Sequence, residues 1–293
     1  MTLRHLRIFI MVADLGSMTA AARAMFISQP TVSQAVSELE DYYGIKLFDR
    51  LAKRLFITEK GSRLLSYARH ITALANEMEQ AVRNPEKTGT INMGASLTIG
   101  TCLLPGLIGR FAREYPLIQV KVTIRNTQDI EALITRNAID FALVEGAIHT
   151  ADIVSRSFME DRLMLVCGKG HPFYGAGKIS LADLEGLRYL VREPGSGTRE
   201  LFENLMSLNE IKWQAAWECN SSDGLKSAAV AGMGVAVISA RLVEEELKTG
   251  VLSNLPVEGL DMRRSFCVIH HRNKYLSPAM TAFISLCRDG AGL

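Results

Sequence analysis

The segment at residues 84–89 divides this chain into two parts with different hydrophobic patterns. Before it, apolar residues recur every three or four positions, as in helices; after it, short apolar runs alternate with helical segments. The segment reads Asn-Pro-Glu-Lys-Thr-Gly, and both proline and glycine disfavour a continuing helix, so we predict a linker here. The pattern predicts a helical N-terminal unit joined to a larger α/β unit, and 293 residues are enough for both.

The first 60 residues are predicted to begin with three short helices. Gly16 and Gly44 end the first and the third of them, because glycine readily adopts the left-handed conformation that closes a helix. Ser17 and Ser28 are the predicted N-caps of the second and the third. A tight helical pair followed by a short polar helix fits recognition of the DNA major groove.

Polar side chains remain on the outer faces of the third predicted helix. Glutamine can pair with adenine through two hydrogen bonds and serine can bond to several base edges, so Gln29, Ser33 and Gln34 are candidate base contacts. Backbone N–H groups at a helix N-terminus attract phosphate, so Ser28, Gln29 and Thr31 are candidate contacts to the DNA backbone. A polar face in contact with water gives the same pattern, and the spacing alone leaves both interpretations open.

A basic window follows these helices. Residues 46–63 hold six basic and two acidic residues, whereas the whole chain has a formal net charge of only +2. Within this window, residues 46–50 and 54–58 are predicted to form two short strands of a hairpin. A basic stripe on a nearly neutral chain fits contact with a polyanion, and a solvated charged face is the alternative.

A long helix is predicted from about residue 59 to residue 82, with Thr58 as its cap. Its apolar residues are spaced alternately by four and three positions, which is the coiled-coil period. A helix packed on its own domain is the alternative, but a domain this small offers little surface to cover so long a stripe. We therefore predict a dimerisation helix. The residues of this seam are Leu64, Ala68, Ile71, Ala75, Met78 and Val82.

Several short motifs occur in order at the N-terminus: LRHLRIF at 3–9, GSMTAAA at 16–22, ISQPTVS at 27–33, LE at 39–40, GIKLFDR at 44–50 and LFITEKG at 55–61. This series resembles the DNA-binding domain of the LysR-type transcriptional regulators. The resemblance implies a winged helix-turn-helix domain at 1–58, a linker and dimerisation helix with a hinge at 59–88, and an effector-binding domain at 89–293.

The same resemblance implies an α/β fold in which the effector-binding domain has two lobes, like a periplasmic binding protein. Lobe I is expected at about 89–161 and 266–293, and lobe II at about 162–265. Double-stranded DNA, a homodimer formed through the linker helix and a homotetramer are the implied assemblies, and RNA polymerase is a candidate further partner. The residues expected at or near DNA are Ser28, Gln29, Pro30, Thr31, Ser33, Gln34, Ser37, Arg50, Lys53 and Arg54.

Beyond the linker, strands and helices alternate in the pattern of open, mostly parallel sheets. A helix at Ile99–Tyr115 and a strand at Leu163–Val166 are among the predicted elements. Two helices in this region begin after turns that carry hydroxyls. Ser96 and Thr98 stand at the first turn. Either turn is an anion site in principle, and an ordinary helix cap is the alternative.

The second turn, residues 192–199, reads Arg-Glu-Pro-Gly-Ser-Gly-Thr-Arg. Its glycines allow a ligand to approach the backbone, and Arg199 is a candidate clamp for an oxyanion. The two turns, together with the strings Asn126-Thr127-Gln128 and Val144-Glu145-Gly146, resemble the branch of the LysR family that regulates sulfur assimilation and carbon fixation. Carried over by position, the cleft residues would be Ser96, Thr98, Thr127, Gln128, Glu145, Gly195, Ser196, Gly197, Thr198 and Arg199.

The branch leaves the effector open: sulfite, sulfate, a phosphorylated sugar acid or another small anion all fit, either an inorganic oxyanion or a small carboxylate or phosphate. A small-anion binding module without a DNA function is the alternative. No motif of a known catalytic, metal or cofactor site is present, so an enzyme is not predicted. Five scattered cysteines and the lack of a long apolar segment predict a cytoplasmic protein with no membrane contact. Inert, buried thiols are expected, and redox-sensitive thiols at Cys102 and Cys167 are the alternative.

Overall fold

The computed structural model describes residues 1–51, 54–83 and 89–289. Contacts divide the chain into two compact units, of which the first holds Met1–Gly89 and the second holds most of the remainder. The predicted fold class is confirmed: a winged helix-turn-helix domain and a long helix precede an α/β domain of two lobes. Within the described ranges, no helix has the length and apolar character needed to cross a membrane.

The first unit contains four helices and one hairpin in its described part. The elements are α1 (Leu3–Leu15), α2 (Met18–Ala24), α3 (Gln29–Tyr43), β1 (Phe48–Leu51), β2 (Arg54–Ile57) and α4 (Glu59–Arg83). The predicted caps are confirmed. Ser17 accepts a hydrogen bond from the backbone N–H of Ala20, and Ser28 from that of Thr31. Gly16 and Gly44 take the left-handed conformation at the ends of α1 and α3.

One buried carboxylate connects α3 to the hairpin. Glu40 accepts hydrogen bonds from the backbone N–H groups of Leu47 (2.8 Å) and Phe48 (3.4 Å) and from Lys46 Nζ (2.6 Å). Burial alone would raise the pKa of Glu40, but these three hydrogen bonds and the charge of Lys46 hold that pKa below its ordinary value. The hairpin is therefore fixed to α3 through an ionised side chain.

The predicted seam of the long helix is wrong in part. Ala68 is fully buried and Leu64 packs against the core of the first unit, so these two residues face their own domain. The exposed apolar residues of α4 lie beside them, again spaced by four, three and four. They are Tyr67, Ile71, Leu74 and Met78. The side chain of Val82 lies outside the described residues.

The second unit is built on a mixed sheet. Its first elements are β3 (Gly89–Ala95), α5 (Leu97–Cys102), α6 (Leu104–Glu114), β4 (Ile118–Ile124), α7 (Thr127–Thr135) and β5 (Phe141–Glu145). There follow β6 (Ile153–Gly168), β7 (Arg188–Arg192), α8 (Gly197–Leu208), β8 (Gln214–Cys219), α9 (Ser222–Val230) and β9 (Val235–Ser239). The last are α10 (Glu244–Lys248), β10 (Leu252–Asn254), β11 (Arg263–His271) and α11 (Pro278–Asp289).

Two long strands join the lobes of this unit. The sheet order is β4-β3-β5-β11-β6-β9-β7-β8, with β10 also paired to β6. One hydrophobic cluster includes Met159 and Phe266, and another includes Leu163 and Met262. Strand β6, and the segment that leads into β11, therefore pass from one core to the other within four residues. The predicted domain and lobe boundaries lie near these positions and stay predictions.

Three expectations for this unit are wrong. The helix predicted at Ile99–Tyr115 is two helices, because Pro105 in the first turn of α6 disfavours continuation from α5. The strand predicted at Leu163–Val166 is the later part of a 16-residue strand, and residues 160–162 just before it are all charged. The sheet is not mostly parallel, since β11 pairs antiparallel with β5 and β6, and β6 pairs antiparallel with β9.

Replacing Glu40 by glutamine should loosen the hairpin. The uncharged amide keeps an acceptor oxygen but loses the charge assistance, which is worth about 1–2 kcal/mol. We expect the amides of Leu47 and Phe48 to exchange with solvent about tenfold faster in Glu40→Gln. The pKa of Glu40 is lower in the folded than in the unfolded protein. The difference in amide exchange rate between wild type and Glu40→Gln should therefore be largest above the unfolded pKa, and it should shrink as the pH falls through the folded pKa.

Asp41→Asn is the matched control, because Asp41 is exposed on the adjacent position of α3. Its amide exchange should match that of the wild type. Equal exchange rates in wild type and Glu40→Gln at neutral pH would contradict the role of this carboxylate.

Candidate functional site

The N-terminus of α3 presents exposed polar groups. Ser28 and Gln29 are exposed, and Thr31 is half-buried. The hydroxyls of Ser28 and Thr31 lie 2.7 Å apart, and Ser28 also accepts from the Thr31 backbone N–H at 3.3 Å. The first turn therefore has ordered hydroxyls next to solvent, an arrangement that can bind phosphate oxygens.

The other expected contacts on this helix follow the same face. Pro30, Gln34 and Ser37 are exposed and Ser33 is half-buried. Gln34 donates to Glu38 Oε1 at 2.9 Å, so its amide is held in one orientation. The structure thus places every α3 candidate at the helix surface, and their contact with DNA stays a proposal.

The hairpin carries the basic candidates. Strands β1 and β2 pair antiparallel, with Arg50 opposite Leu55 and Leu51 opposite Arg54. The arginines therefore belong to neighbouring rungs of one two-stranded ladder, and their side chains lie outside the described residues. Lys53 itself also lies outside the described residues.

In the second unit, the expected cleft residues converge on Glu145 at the end of β5. Its side chain is fully buried and accepts hydrogen bonds from the hydroxyls of Ser96 and Thr98, the latter at 3.0 Å. Thr127 donates to the backbone carbonyl of Glu145 at 2.8 Å. The hydroxyls predicted to bind an anion are therefore brought together as expected, and their acceptor is a carboxylate of the same chain.

Arg264, which was not among the residues expected from the sequence, completes this cluster from β11. Its Nε donates to Asp161 on β6 at 2.7 Å, and its Nη1 donates to the Thr198 hydroxyl at 2.9 Å. Nη1 also lies 3.9 Å from Glu145 Oε1. The other terminal nitrogen, Nη2, is buried and has no hydrogen-bond partner among the described residues.

A signal for Arg264 was present in the sequence. Side chains alternate between the two faces of a strand, so Arg264 shares a face with Phe266 and Val268. The side chain of Arg264 is only 4% exposed, whereas that of its neighbour Arg263 is 71% exposed. No comparable signal marks Asp161, which becomes its partner only through the register of β6 against β11.

Two glycines bring the lobes into contact beside this cluster. Gly146 has φ +98°, and its Cα lies so close to Gly197 that neither position has room for a side chain. A Cβ on Gly197 would lie 2.2 Å from the carbonyl oxygen of Glu145. Nearby, the backbone N–H of Gln128 donates to the carbonyl of Gly195 at 3.1 Å. Thr127, Gln128 and the 195–198 turn therefore adjoin the Glu145 cluster.

The guanidinium of Arg199 forms ion pairs outside the Glu145 cluster. Its guanidinium donates to Glu203 at 2.7 Å, to Glu218, and to the carbonyl of Arg192 at 3.2 Å, and it lies over the ring of Trp213. Ser196 acts as the N-cap of α8. The arginine that contacts the hydroxyl cluster is Arg264, whereas the guanidinium of Arg199 contacts Glu203, Glu218 and Trp213; a role for Arg199 in effector binding stays a prediction.

Three of the five cysteine thiols, those of Cys102, Cys167 and Cys287, are poor nucleophiles. Burial raises the pKa of Cys102 and of Cys167 to about 11, and that of Cys287 to about 12. At neutral pH these groups are almost entirely protonated, and the thiolate is the reactive form. This agrees with the expectation of inert thiols at these three positions.

Comparison with known proteins covers both units. Residues 3–62 match the family described as bacterial regulatory helix-turn-helix protein, lysR family, and residues 84–292 match the LysR substrate binding domain. The uncharacterized HTH-type transcriptional regulator YeiE of Escherichia coli strain K12 is 35% identical over 286 residues, which cover 98% of this chain and 97% of that protein.

Two further relatives belong to other organisms. The RuBisCO operon transcriptional regulator of Allochromatium vinosum is 32% identical over 284 residues, covering 96% of this chain and 94% of that protein. The Synechocystis PCC6803 CcmR regulatory domain, solved in complex with 2-PG, has a TM-score of 0.65 at 24% identity. The match covers 70% of this chain and 98% of the CcmR regulatory domain. At this identity, the match shows that the two proteins share a fold. The carbon-fixation half of the expected branch is thus represented, and the sulfur-assimilation half stays a prediction.

Replacing Gly197 by alanine should separate the two turns. The added Cβ would overlap the carbonyl oxygen of Glu145 at 2.2 Å, and backbone on both sides must move. We expect the hydrogen bond from Gln128 N–H to Gly195 to weaken, so the Gln128 amide should exchange about tenfold faster with solvent. Gly177→Ala is the control, since nothing lies within 4 Å of its Cβ position. Unchanged protection of Gln128 in Gly197→Ala would show that the contact is not tight.

Proposed function

The chain belongs to the LysR family of bacterial transcriptional regulators, and from this premise we propose how it recognises DNA, effector and partner. The family function is ligand-responsive regulation of transcription by a DNA-binding protein. The match of residues 3–62 to a helix-turn-helix family sets aside the alternative of a binding module without a DNA function. Helix α3 is proposed to enter the major groove, with the β1–β2 hairpin on the phosphate backbone.

The effector is proposed to be a small anion bound in the cluster around Glu145 and Arg264. The observation that carries this proposal is the buried Nη2 of Arg264, a cationic donor without a partner among the described residues. Buried polar groups are normally hydrogen-bonded, and a guanidinium prefers carboxylate, phosphate and similar oxyanions. The hydroxyls of Ser96, Thr98 and Thr198 lie in the same cluster and can donate to the same ligand.

An effector in this cluster meets the carboxylate of Glu145, which already occupies the hydroxyl donors. That carboxylate already accepts from Ser96 and Thr98, so an entering anion either replaces it as their acceptor or binds at Arg264 beside it. Either change alters the contacts that hold the two turns together at Gly146 and Gly197. Binding shifts the lobe equilibrium only as far as the anion prefers one arrangement over the other.

Two properties of relatives support the choice of anions to test. The structure of the CcmR regulatory domain is titled as a complex with 2-PG, and a RuBisCO operon regulator is among the relatives. Sulfite, sulfate and phosphoglycolate span the inorganic oxyanions and small phosphorylated acids that the cluster fits. RNA polymerase remains a candidate partner, and a regulator of transcription is expected in the compartment that holds DNA, the bacterial cytoplasm.

The anion proposal is tested by conservative substitution of Arg264. Arg264→Lys keeps a positive charge toward Asp161 but removes the second terminal nitrogen. Losing one charge-assisted hydrogen bond should raise the anion concentration for half-maximal response about ten- to hundredfold. The response is measured as the change in fluorescence anisotropy of labelled promoter DNA during titration with sulfite, sulfate or phosphoglycolate.

Arg263→Lys is the matched control, because Arg263 precedes Arg264 on β11 but pairs with Asp261 at the surface. It should respond as wild type does. The site assignment fails if Arg264→Lys and wild type respond at the same concentration. The choice of anion class fails if the wild type answers none of the three compounds.

We further propose that α4 pairs with α4 of a second copy, and that such dimers assemble into a tetramer. The exposed stripe of Tyr67, Ile71, Leu74 and Met78 has the spacing of a coiled-coil seam. A second copy related by two-fold symmetry presents the same apolar stripe, so the two stripes can cover each other and remove both from water.

Ile71→Glu tests this dimer. Placing a carboxylate in the seam both removes the burial of an isoleucine and desolvates a charge, so the dimer Kd should rise at least about tenfold. Sedimentation equilibrium of the full chain measures the change. Ser62→Glu adds the same charge at an exposed position of α4 and should leave the Kd unaltered. A dimer of unchanged strength in Ile71→Glu would place the interface elsewhere.

A further inference from the structure

Phe26, in the turn between α2 and α3, has an unusual environment for an aromatic residue. Its side chain is 96% exposed, the highest value among the large hydrophobic residues of the described ranges. Its backbone has φ +55°, the left-handed conformation that residues other than glycine seldom adopt. The ring is thus held in water, where an apolar surface is unfavourable.

The turn around Phe26 is anchored on both sides. Met25 and Ile27 pack against the core of the first unit. The backbone N–H of Phe26 donates to the Arg23 carbonyl at 3.2 Å, and that of Ile27 donates to the Ala22 carbonyl at 3.0 Å. The outward position of the ring therefore follows from a fixed backbone.

The position of the ring relates it to α3. Phe26 is two residues before Ser28, the N-cap of α3, and two residues of chain span at most about 7 Å. Ser28, Gln29 and Pro30 are exposed at the same end of the helix. A duplex that receives the N-terminus of α3 therefore lies within reach of the ring.

The groups exposed in the DNA major groove limit which of them the Phe26 ring can contact favourably. Base edges in the major groove present hydrogen-bond donors and acceptors, and the one apolar group among them is the C5-methyl of thymine. A phenylalanine has no donor or acceptor to offer, and contact with this methyl removes apolar surface of both groups from water.

We propose that Phe26 is a specificity-determining residue that packs its ring against a thymine C5-methyl beside the bases contacted by α3. This inference goes beyond the proposed effector and dimer, and rests on the proposed entry of α3 into the major groove. It would add an aromatic contact to a recognition surface on which Gln29, Ser33 and Gln34 are the proposed base contacts.

The test uses a duplex selected by the full-length wild-type protein from a random-sequence library. A second duplex has every thymine replaced by deoxyuridine, which removes the methyl and keeps base pairing. Wild type should bind the deoxyuridine duplex about fourfold more weakly for each methyl that it contacts. Phe26→Ala should bind the thymine duplex more weakly than wild type does, by the same factor. Its affinity should fall less, or not at all, when deoxyuridine replaces thymine.

Two variants serve as comparisons. Tyr42→Ala removes another exposed aromatic ring, 64% exposed near the end of α3, and should bind both duplexes as wild type does. Gln34→Ala tests base reading by α3 itself and should reduce preference for the selected sequence while keeping the response to deoxyuridine. Thermal melting checks that each variant is folded.

The outcomes separate the two assignments. If Phe26→Ala binds as tightly as wild type, the proposal is overturned, and a loss in Gln34→Ala would show that α3 still reads DNA. If Phe26→Ala binds more weakly but keeps the full response to deoxyuridine, its ring contacts another part of the duplex and the thymine assignment is wrong. If Phe26→Ala and Gln34→Ala both match wild type, the major-groove assignment of α3 fails as well.

Discussion

The ion pair between Arg264 and Asp161 links the parts of the effector domain. It joins β11 to β6 where the two strands pass from one core to the other, and Thr198 adds the first residues of α8 to the same guanidinium. Both charges are buried, and a buried ion pair offsets its desolvation only when geometry and further hydrogen bonds are good. The register of two strands and the position of a helix must therefore be correct together for the pair to form.

The contact between Gly146 and Gly197 makes this arrangement sensitive to small changes. Because no side chain separates the two backbones, the turn after β5 and the start of α8 meet directly. Backbones packed this closely do not adjust gradually to a displacement. A shift of a fraction of an ångström at either glycine is expected to favour separation of the two backbones over a compressed contact. We therefore expect a change of hydrogen-bond acceptor within the Glu145 cluster to bias the lobes, to the extent that the two acceptors favour different arrangements.

Local features of this chain could be predicted and long-range ones could not. The caps at Ser17 and Ser28 depend on a few neighbouring residues, and the structure confirms them. The break before Pro105 was equally local and was overlooked. By contrast, β6 carries Glu160, Asp161 and Arg162 at the point where it passes from one core to the other, so its sequence there resembles a surface segment. Arg264 had a local signal in the alternation of its strand, but its partner Asp161 lies 103 residues away and is determined only by the register of the two strands.

The Glu145 cluster shows why hydroxyls at a helix start predict a nearby negative charge without indicating whether a ligand or the chain itself supplies it. Such donors attract negative charge whether it belongs to a ligand or to the chain. Ser96 and Thr98 are satisfied by Glu145, which leaves Nη2 of Arg264 as the buried donor of the cluster without a partner among the described residues. An effector anion would therefore gain one new cationic contact and contest two existing ones. Its affinity depends on the difference between two sets of hydrogen bonds, so the geometry of the anion, as much as its charge, determines the response.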